Sequence, residues 1–199
     1  MITQMTKLKR DTIRRTTESL ASQIRRKLLT STNFEIVTAA SLAHHGMLGF
    51  VEDMWLGQGD VDLASIPAEH MASLASCVTR YLDIYNISCD LTPILDNIKC
   101  EDLRIDGHSL GTEETWALVR AMEASVSVLR LGINWFGTTV SLDIRALTLY
   151  SGHGKCWKVI VDHTCTCMTE MKNWAQGINW LEIDLDHFLG GAFVLQRPK

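Results

Sequence analysis

His153, Cys156, His163, Cys165 and Cys167 crowd into one short stretch of the chain. Imidazole and thiolate are the ligands zinc prefers, so a metal centre is the sharpest chemistry these residue types offer. The spacing argues against a finger. No Cys-x-x-Cys faces a second such pair, and Cys156 falls on an apolar strand position, where a thiol serves as a small hydrophobe. The same stretch holds Ser151-Gly152-His153-Gly154-Lys155-Cys156, which has some of the glycines and the lysine of a phosphate loop. Leu149 stands where the first glycine is required, Cys156 where Ser or Thr is required, and a helix precedes the loop instead of following it. A glycine turn ending a helix is the better reading.

Nucleophilic catalysis would need Ser or Cys beside a His that an acid orients, and no Gly-x-Ser-x-Gly is present. His108 and Ser109 are neighbours in sequence only. His44-His45 before Gly46 reads as a helix C-terminus, and Asp184 and Asp186 as a solvated strand end. These residue types therefore predict no enzyme, no metal site and no cofactor. A metal-binding or enzymatic use of residues 153–167 is the alternative.

Composition sets the frame. The chain has 199 residues, 46% hydrophobic and 21% charged, enough for one sizeable core. Three prolines and 13 glycines exclude collagen-like and low-complexity chains. No run approaches the ~20 apolar residues of a membrane-spanning helix, so a soluble protein is expected. The net charge of −4 hides an asymmetry: residues 1–29 carry eight Lys and Arg against Asp11 and Glu18, and the other 170 residues carry 11 basic and 21 acidic groups. A basic lead thus precedes an acidic body. Through Arg14, Arg15, Arg25 and Arg26 that lead could reach nucleic acid or an anionic membrane, and its Arg-rich, acid-poor character faintly resembles a mitochondrial transit peptide. The favoured reading is a cap on the open end of the fold. Six cysteines without a secretory signal predict reduced thiols and a cytoplasmic chain, which leaves the sequon Asn86-Ile87-Ser88 without meaning. Met1 and a terminal hairpin predict a complete protein.

The elements follow from apolar spacing. Ile13, Leu20, Ile24 and Leu28 form one helical stripe, and Phe34, Ile36, Val37, Ala40 and Leu42 a second, stopping near Gly46. Residues 1–46 are thereby predicted as a basic helical N-terminal cap, and 47–199 as a repeat domain. Its template, two variable residues between the first two apolar positions and one before the third, fits Val51-x-x-Met54-x-Leu56, Cys100-x-x-Leu103-x-Ile105, Val126-x-x-Leu129-x-Leu131, Cys156-x-x-Val159-x-Val161 and Ile178-x-x-Leu181-x-Ile183. Thr79-x-x-Leu82-x-Ile84 departs at its first position only. The six starts are spaced by 28, 21, 26, 30 and 22 residues, a period that marks internal repeats. Helical spacing fills the gaps over 67–78, 91–98, 112–122, 142–150 and 168–175, with Thr112 as an N-cap and Glu113 and Glu114 in the positive first turn. Strands alternating with helices predict an α/β fold with parallel strands: a short curved solenoid of about six strand–helix repeats, strands inside and helices outside.

The template resembles that of leucine-rich-repeat proteins, and the alternating helices resemble their ribonuclease-inhibitor-like type, over about residues 47–190. In that family an Asn three residues after the last apolar strand position ladders between turns. Here only Asn134 keeps it, with Gly59, Ile87, His108, Thr164 and Asp186 at the equivalent positions. Residues 181–185 and 192–196, across Gly190-Gly191, read as a hairpin that caps the exposed edge.

In this register the apolar positions enter the core and the intervening ones project from the concave strand face. The exposed set is Trp55, Tyr81, Asp83, Tyr85, Arg104, Arg130, Trp157, Lys158, Trp180 and Glu182, with Trp157 and Trp180 also read as packing over the end repeats. Exposed Trp, Tyr and Arg dominate interface energetics. The expectation is a non-enzymatic protein–protein interaction module, its partner another protein.

Overall fold

Apolar alternation builds seven strands in the computed structural model: β1 (Val51–Gly57), β2 (Val78–Tyr85), β3 (Asp102–Asp106), β4 (Val128–Leu131), β5 (Lys158–Val161), β6 (Leu181–Asp184) and β7 (Phe193–Gln196). Before them lies α1 (Asn33–His44), and between them α2 (Ala68–Cys77), α3 (Thr92–Leu95), α4 (Thr112–Ala124), α5 (Ile144–Leu147) and α6 (Met168–Gly177), with a 3-10 turn at Leu63–Ser65. The structure describes residues 15–16, 18–20, 33–57, 63–85, 87, 89–132, 139–162, 165–184 and 192–199. Among these, no helix is long and apolar enough to cross a membrane. Arg15 is helical and exposed, whereas Arg14, Arg25, Arg26 and the stripe of Ile13, Ile24 and Leu28 lie outside the described residues.

The strands form one sheet in the order β1-β2-β3-β4-β5-β7-β6. The first five run parallel, while β7 runs antiparallel to both its neighbours. The fold is therefore α/β with a mostly parallel sheet, open at both edges. Met54, Leu82, Leu103, Leu129 and Val159 align across five strands, and so do Leu56, Ile84, Ile105, Leu131 and Val161. All ten are buried and share one core with Ile36 and Ala40 of α1, Leu74 of α2, Leu118 and Met122 of α4, and Met171 of α6. The helices follow the strands in order, α1 packing on α2, α2 on α3, α3 on α4 and α4 on α5.

Local chemistry explains where the elements differ from the expected pattern. A bulge in β2 pairs Val51 with Val78, not Thr79, so Val78 fills the first apolar position and Thr79 is exposed. The N-cap of α4 is Gly111, one residue before the expected Thr112, because the Glu114 carboxylate turns back to accept the Gly111 N–H at 3.0 Å. The predicted helix over 142–150 shrinks to the four residues of α5, with Asp143 accepting the Arg145 N–H as its cap. Gly57 ends β1 at φ +131°, where a Cβ would run into the Tyr85 carbonyl oxygen.

The last repeat is the main correction. Ile178, Leu181 and Ile183 fit the template, but β7 inserts between β5 and β6, and β6 meets the sheet only through an antiparallel partner. The resulting register puts Glu182 in line with Leu195 and Val159, and Leu181 and Ile183 in line with Gln196 and Val194. Leu181 and Ile183 are accordingly 51% and 41% exposed. The faces of β6 are swapped relative to the template, since a one-residue slip exchanges every side chain.

Candidate functional site on the open strand face

The face of the sheet opposite the core carries the intervening residues of each strand. Trp55, Asp83, Arg104, Arg130 and Ile160 form one row across β1 to β5; Asp53, Tyr81, Asp102, Val128 and Lys158 form the row beside it. Tyr85 and Asp106 pair at the C-terminal ends of β2 and β3.

Ion pairs knit the rows together. Arg104 lies at the centre: its Nε and Nη2 donate to Asp106 Oδ2 at 2.8 and 2.7 Å, and its Nη1 to Asp83 Oδ2 at 3.3 Å. The Tyr81 hydroxyl donates to the same Asp83 oxygen at 3.3 Å. Next to this group Arg130 grips Asp102 with both arms of its fork, Nη2 to Oδ2 at 2.7 Å and Nε to Oδ1 at 2.9 Å. Arg80 pairs with Asp53 towards the edge.

Burial changes the electrostatics at the centre. Asp106 is fully buried and Asp83 only 9% exposed, and neither Oδ1 finds a hydrogen-bond partner among the described residues. Burial pushes the Asp106 carboxyl up from an ordinary 3.8 to about 6, Arg104 opposing the rise and Asp83 and Asp162 adding to it. Burial also lifts Asp83, against the pull of Arg104. Loss of water around the Tyr81 phenol, with the Asp83 charge, moves it up to about 12. The folded chain thus holds the Asp106 proton more tightly than the unfolded chain does. The stability this group contributes is full below about pH 4 and is lost as pH rises towards 6. Asp106→Asn is expected to flatten the pH dependence of unfolding free energy across that window by about 2–3 kcal/mol. Urea titrations on both proteins between pH 4 and about 7 would read the change; equal slopes would assign the proton to another group.

The predicted residues divide between this face and the core. Trp55 is 53% exposed, and Tyr81, Tyr85, Arg104, Arg130 and Lys158 are half-buried on or beside the face. Trp157 precedes β5, 41% exposed, with the Lys158 ammonium 5.8 Å from its ring centroid. Three of the set depart from an exposed place on this face: Trp180 takes the packing role read beside it, and Glu182 stays exposed but on the other side. Asp83 is buried because Arg104 and Tyr81 close over it. Trp180 is 5% exposed, with its ring 5.7 Å from Trp174 and 6.0 Å from Tyr150 on the helix side. Glu182 points to that same side, where it pairs with Lys172 of α6 at 2.5 Å. Sequence reasoning passed over Asp102 and Asp106, although Asp102-x-Arg104-x-Asp106 is a period-two alternation of opposite charges.

The histidines have other work. His108 sets Nδ1 2.7 Å from the Ile87 carbonyl and Nε2 3.0 Å from Glu114 Oε1. Glu114 Oε1 also accepts the Leu91 N–H at 2.7 Å. Both ring nitrogens are therefore committed to joining successive turns, and Ser109 bonds Ser141 instead of His108. The 153–167 cluster does not converge: His153 is exposed, Cys156 is buried in the core, and Cys165 and Cys167 meet each other, while His163 lies outside the described residues. Among the described residues no group of three or more His, Cys, Asp or Glu is placed to hold a metal ion. No family model matches the chain, and neither does any curated protein or solved structure.

Proposed function

We propose that the chain is a non-enzymatic module of the cytoplasm that binds another protein through its open strand face, on a short solenoid of leucine-rich-repeat type. The solenoid reading draws support from the strand and helix orders and from His108. His108 occupies a ladder position, and its side chain reaches the backbone of Ile87, the equivalent position one turn earlier. An imidazole here performs the bridging that Asn performs in that family.

One observation carries the binding reading. Trp55 stands 53% exposed in the same row as Arg104 and Arg130, whose guanidiniums are already held in place by Asp83, Asp106 and Asp102. A large aromatic beside preorganised Arg forks is what interface hot spots are made of, because little side-chain entropy is left to lose on contact. Trp55→Ala combined with Arg130→Ala tests it. The double variant should capture its partners from cytosolic extract at least about tenfold less well than wild type, with both proteins sharing one unfolding midpoint to within about 0.5 kcal/mol. Equal capture by a folded double variant would overturn the reading.

A further inference from the structure

Cys165 and Cys167 flank Thr166 in the turn between β5 and α6, and their sulfurs lie 3.2 Å apart. That is about 1.2 Å longer than the ~2.05 Å of a disulfide, a gap that small side-chain rotations close. The backbone holds the turn in place: Cys165 N–H donates to Asp162 O at 3.0 Å, Thr166 N–H to Val140 O at 3.0 Å, and Cys167 O accepts the Met171 N–H at 3.0 Å. Cys167 is also the N-cap of α6, a ten-residue helix whose first N–H groups favour negative charge.

The two thiols are not equivalent. The Cys165 hydrogen bond and the backbone N–H groups of Leu142 and Cys167 itself favour a thiolate at Cys167 and lower its pKa. The Cys165 thiol is pushed up by the same contact and by its burial. Elsewhere in the core, burial pushes Cys100 and Cys156 up to about 12, the Asp102 charge adding to it at Cys100, which leaves them protonated and inert. A thiolate-favouring sulfur in contact with a protonated one is the arrangement of a nucleophile and its resolving partner.

We propose that Cys165 and Cys167 form a redox-sensitive dithiol that hydrogen peroxide converts to an intramolecular disulfide, with Cys167 as the nucleophile and Cys165 as the resolving cysteine. The residues are 2% and 8% exposed, so the oxidant proposed is a small one, little larger than water. The Cys167 thiolate attacks one peroxide oxygen and the O–O bond breaks. Cys167 becomes a sulfenic acid, and the hydroxide released takes up a proton to give water. Cys165 sulfur then attacks Cys167 sulfur: the S–S bond forms, the S–O bond breaks, and the departing hydroxide leaves as a second water with the Cys165 proton. The two thiols lose two electrons and two protons, and one peroxide becomes two waters. A small thiol reductant reverses the change: two of its thiols become a disulfide as the two protein thiols re-form. This inference is independent of the strand-face reading, since it uses none of that face's residues.

The full chain, treated briefly with hydrogen peroxide, alkylated under denaturing conditions and mapped by peptide mass, tests it. Two of the six thiols should escape alkylation, both in the peptide carrying residues 165–167, and dithiothreitol should restore them. They should disappear at least about tenfold faster than Cys100 and Cys156. In Cys165→Ser the disulfide should be lost and a sulfenic acid at Cys167 should be trapped by dimedone; in Cys167→Ser neither product should form. Mapping the wild-type protein needs no variant to fold. Six thiols still alkylated after treatment, oxidation at all cysteines at one rate, or a link from either residue to a different cysteine would overturn the proposal.

Discussion

Tyr150→Ala is expected to cost about 3–5 kcal/mol of folding stability, a large part of what a domain of this size possesses. Tyr150 is fully buried, with its ring 6.2 Å from Trp174 and edge-on to Trp180 at 6.0 Å. Its hydroxyl donates to the Cys156 carbonyl at 2.6 Å. Truncation therefore removes a whole aromatic volume, two ring contacts and a hydrogen bond to a carbonyl at the entrance to β5. The glycine turn at 151–154 folds over the same ring, a Cβ on Gly154 falling 2.9 Å from Tyr150 Cε2, so the space cannot be refilled from that side without moving backbone. Tyr150→Phe keeps the ring and deletes one hydrogen bond; its expected cost is about 1–2 kcal/mol. Denaturant midpoints for both variants, with near-ultraviolet dichroism of the paired tryptophans, separate the two contributions. Equal costs for Ala and Phe would mean that the hydroxyl, not the ring packing, holds the region.

The second large effect belongs to Arg104. Arg104→Ala is expected to cost about 3–5 kcal/mol at neutral pH, because it strands the buried Asp106 carboxylate and its neighbour Asp83 without a counterion. The loss should depend on pH. Once Asp106 is protonated it needs no guanidinium, so the cost at pH 5 should be smaller than at pH 7.5 by at least about 1 kcal/mol. Arg104→Lys, which keeps the charge but cannot fork between two carboxylates, should fall between wild type and Ala. A cost that is the same at both pH values would show that Arg104 stabilises through the packing of its stem and not through its charge.

How far the sequence could be read depends on which partner each strand meets. From β1 to β5 each strand meets a parallel neighbour one repeat away, so the spacing of Met54, Leu82, Leu103, Leu129 and Val159 was sufficient to set their common row. Even the weak copy was nearly right, since the bulge at Thr79 adds a single residue. For β6 the template was followed in sequence and broken in space: nothing in Ile178-x-x-Leu181-x-Ile183 reveals that β7 will intervene. Trp180 and Glu182 were assigned to the wrong face for that one reason. Asp83 fails differently. Its position in the row was read correctly, but an aspartate on an open face is counted as solvated until Arg104 and Tyr81 are seen to shield it. The thiol pair at 165 and 167 was visible as a motif, while its short contact comes from the turn that precedes α6.

The insertion of β7 also orders the events of folding. Each of β2 to β5 pairs with the strand that precedes it, over loops of a few tens of residues at most, so those ladders can form one after another at modest closure cost. β6 cannot continue that series, although it leaves the ribosome before β7 does. It touches the sheet only through β7, and must either wait for that strand or fold with it first as a two-stranded unit that docks on β5. A lone two-stranded hairpin is marginal in water. The final step of assembly is therefore the docking of a weak unit onto a formed edge, and this end of the sheet is where local unfolding should begin.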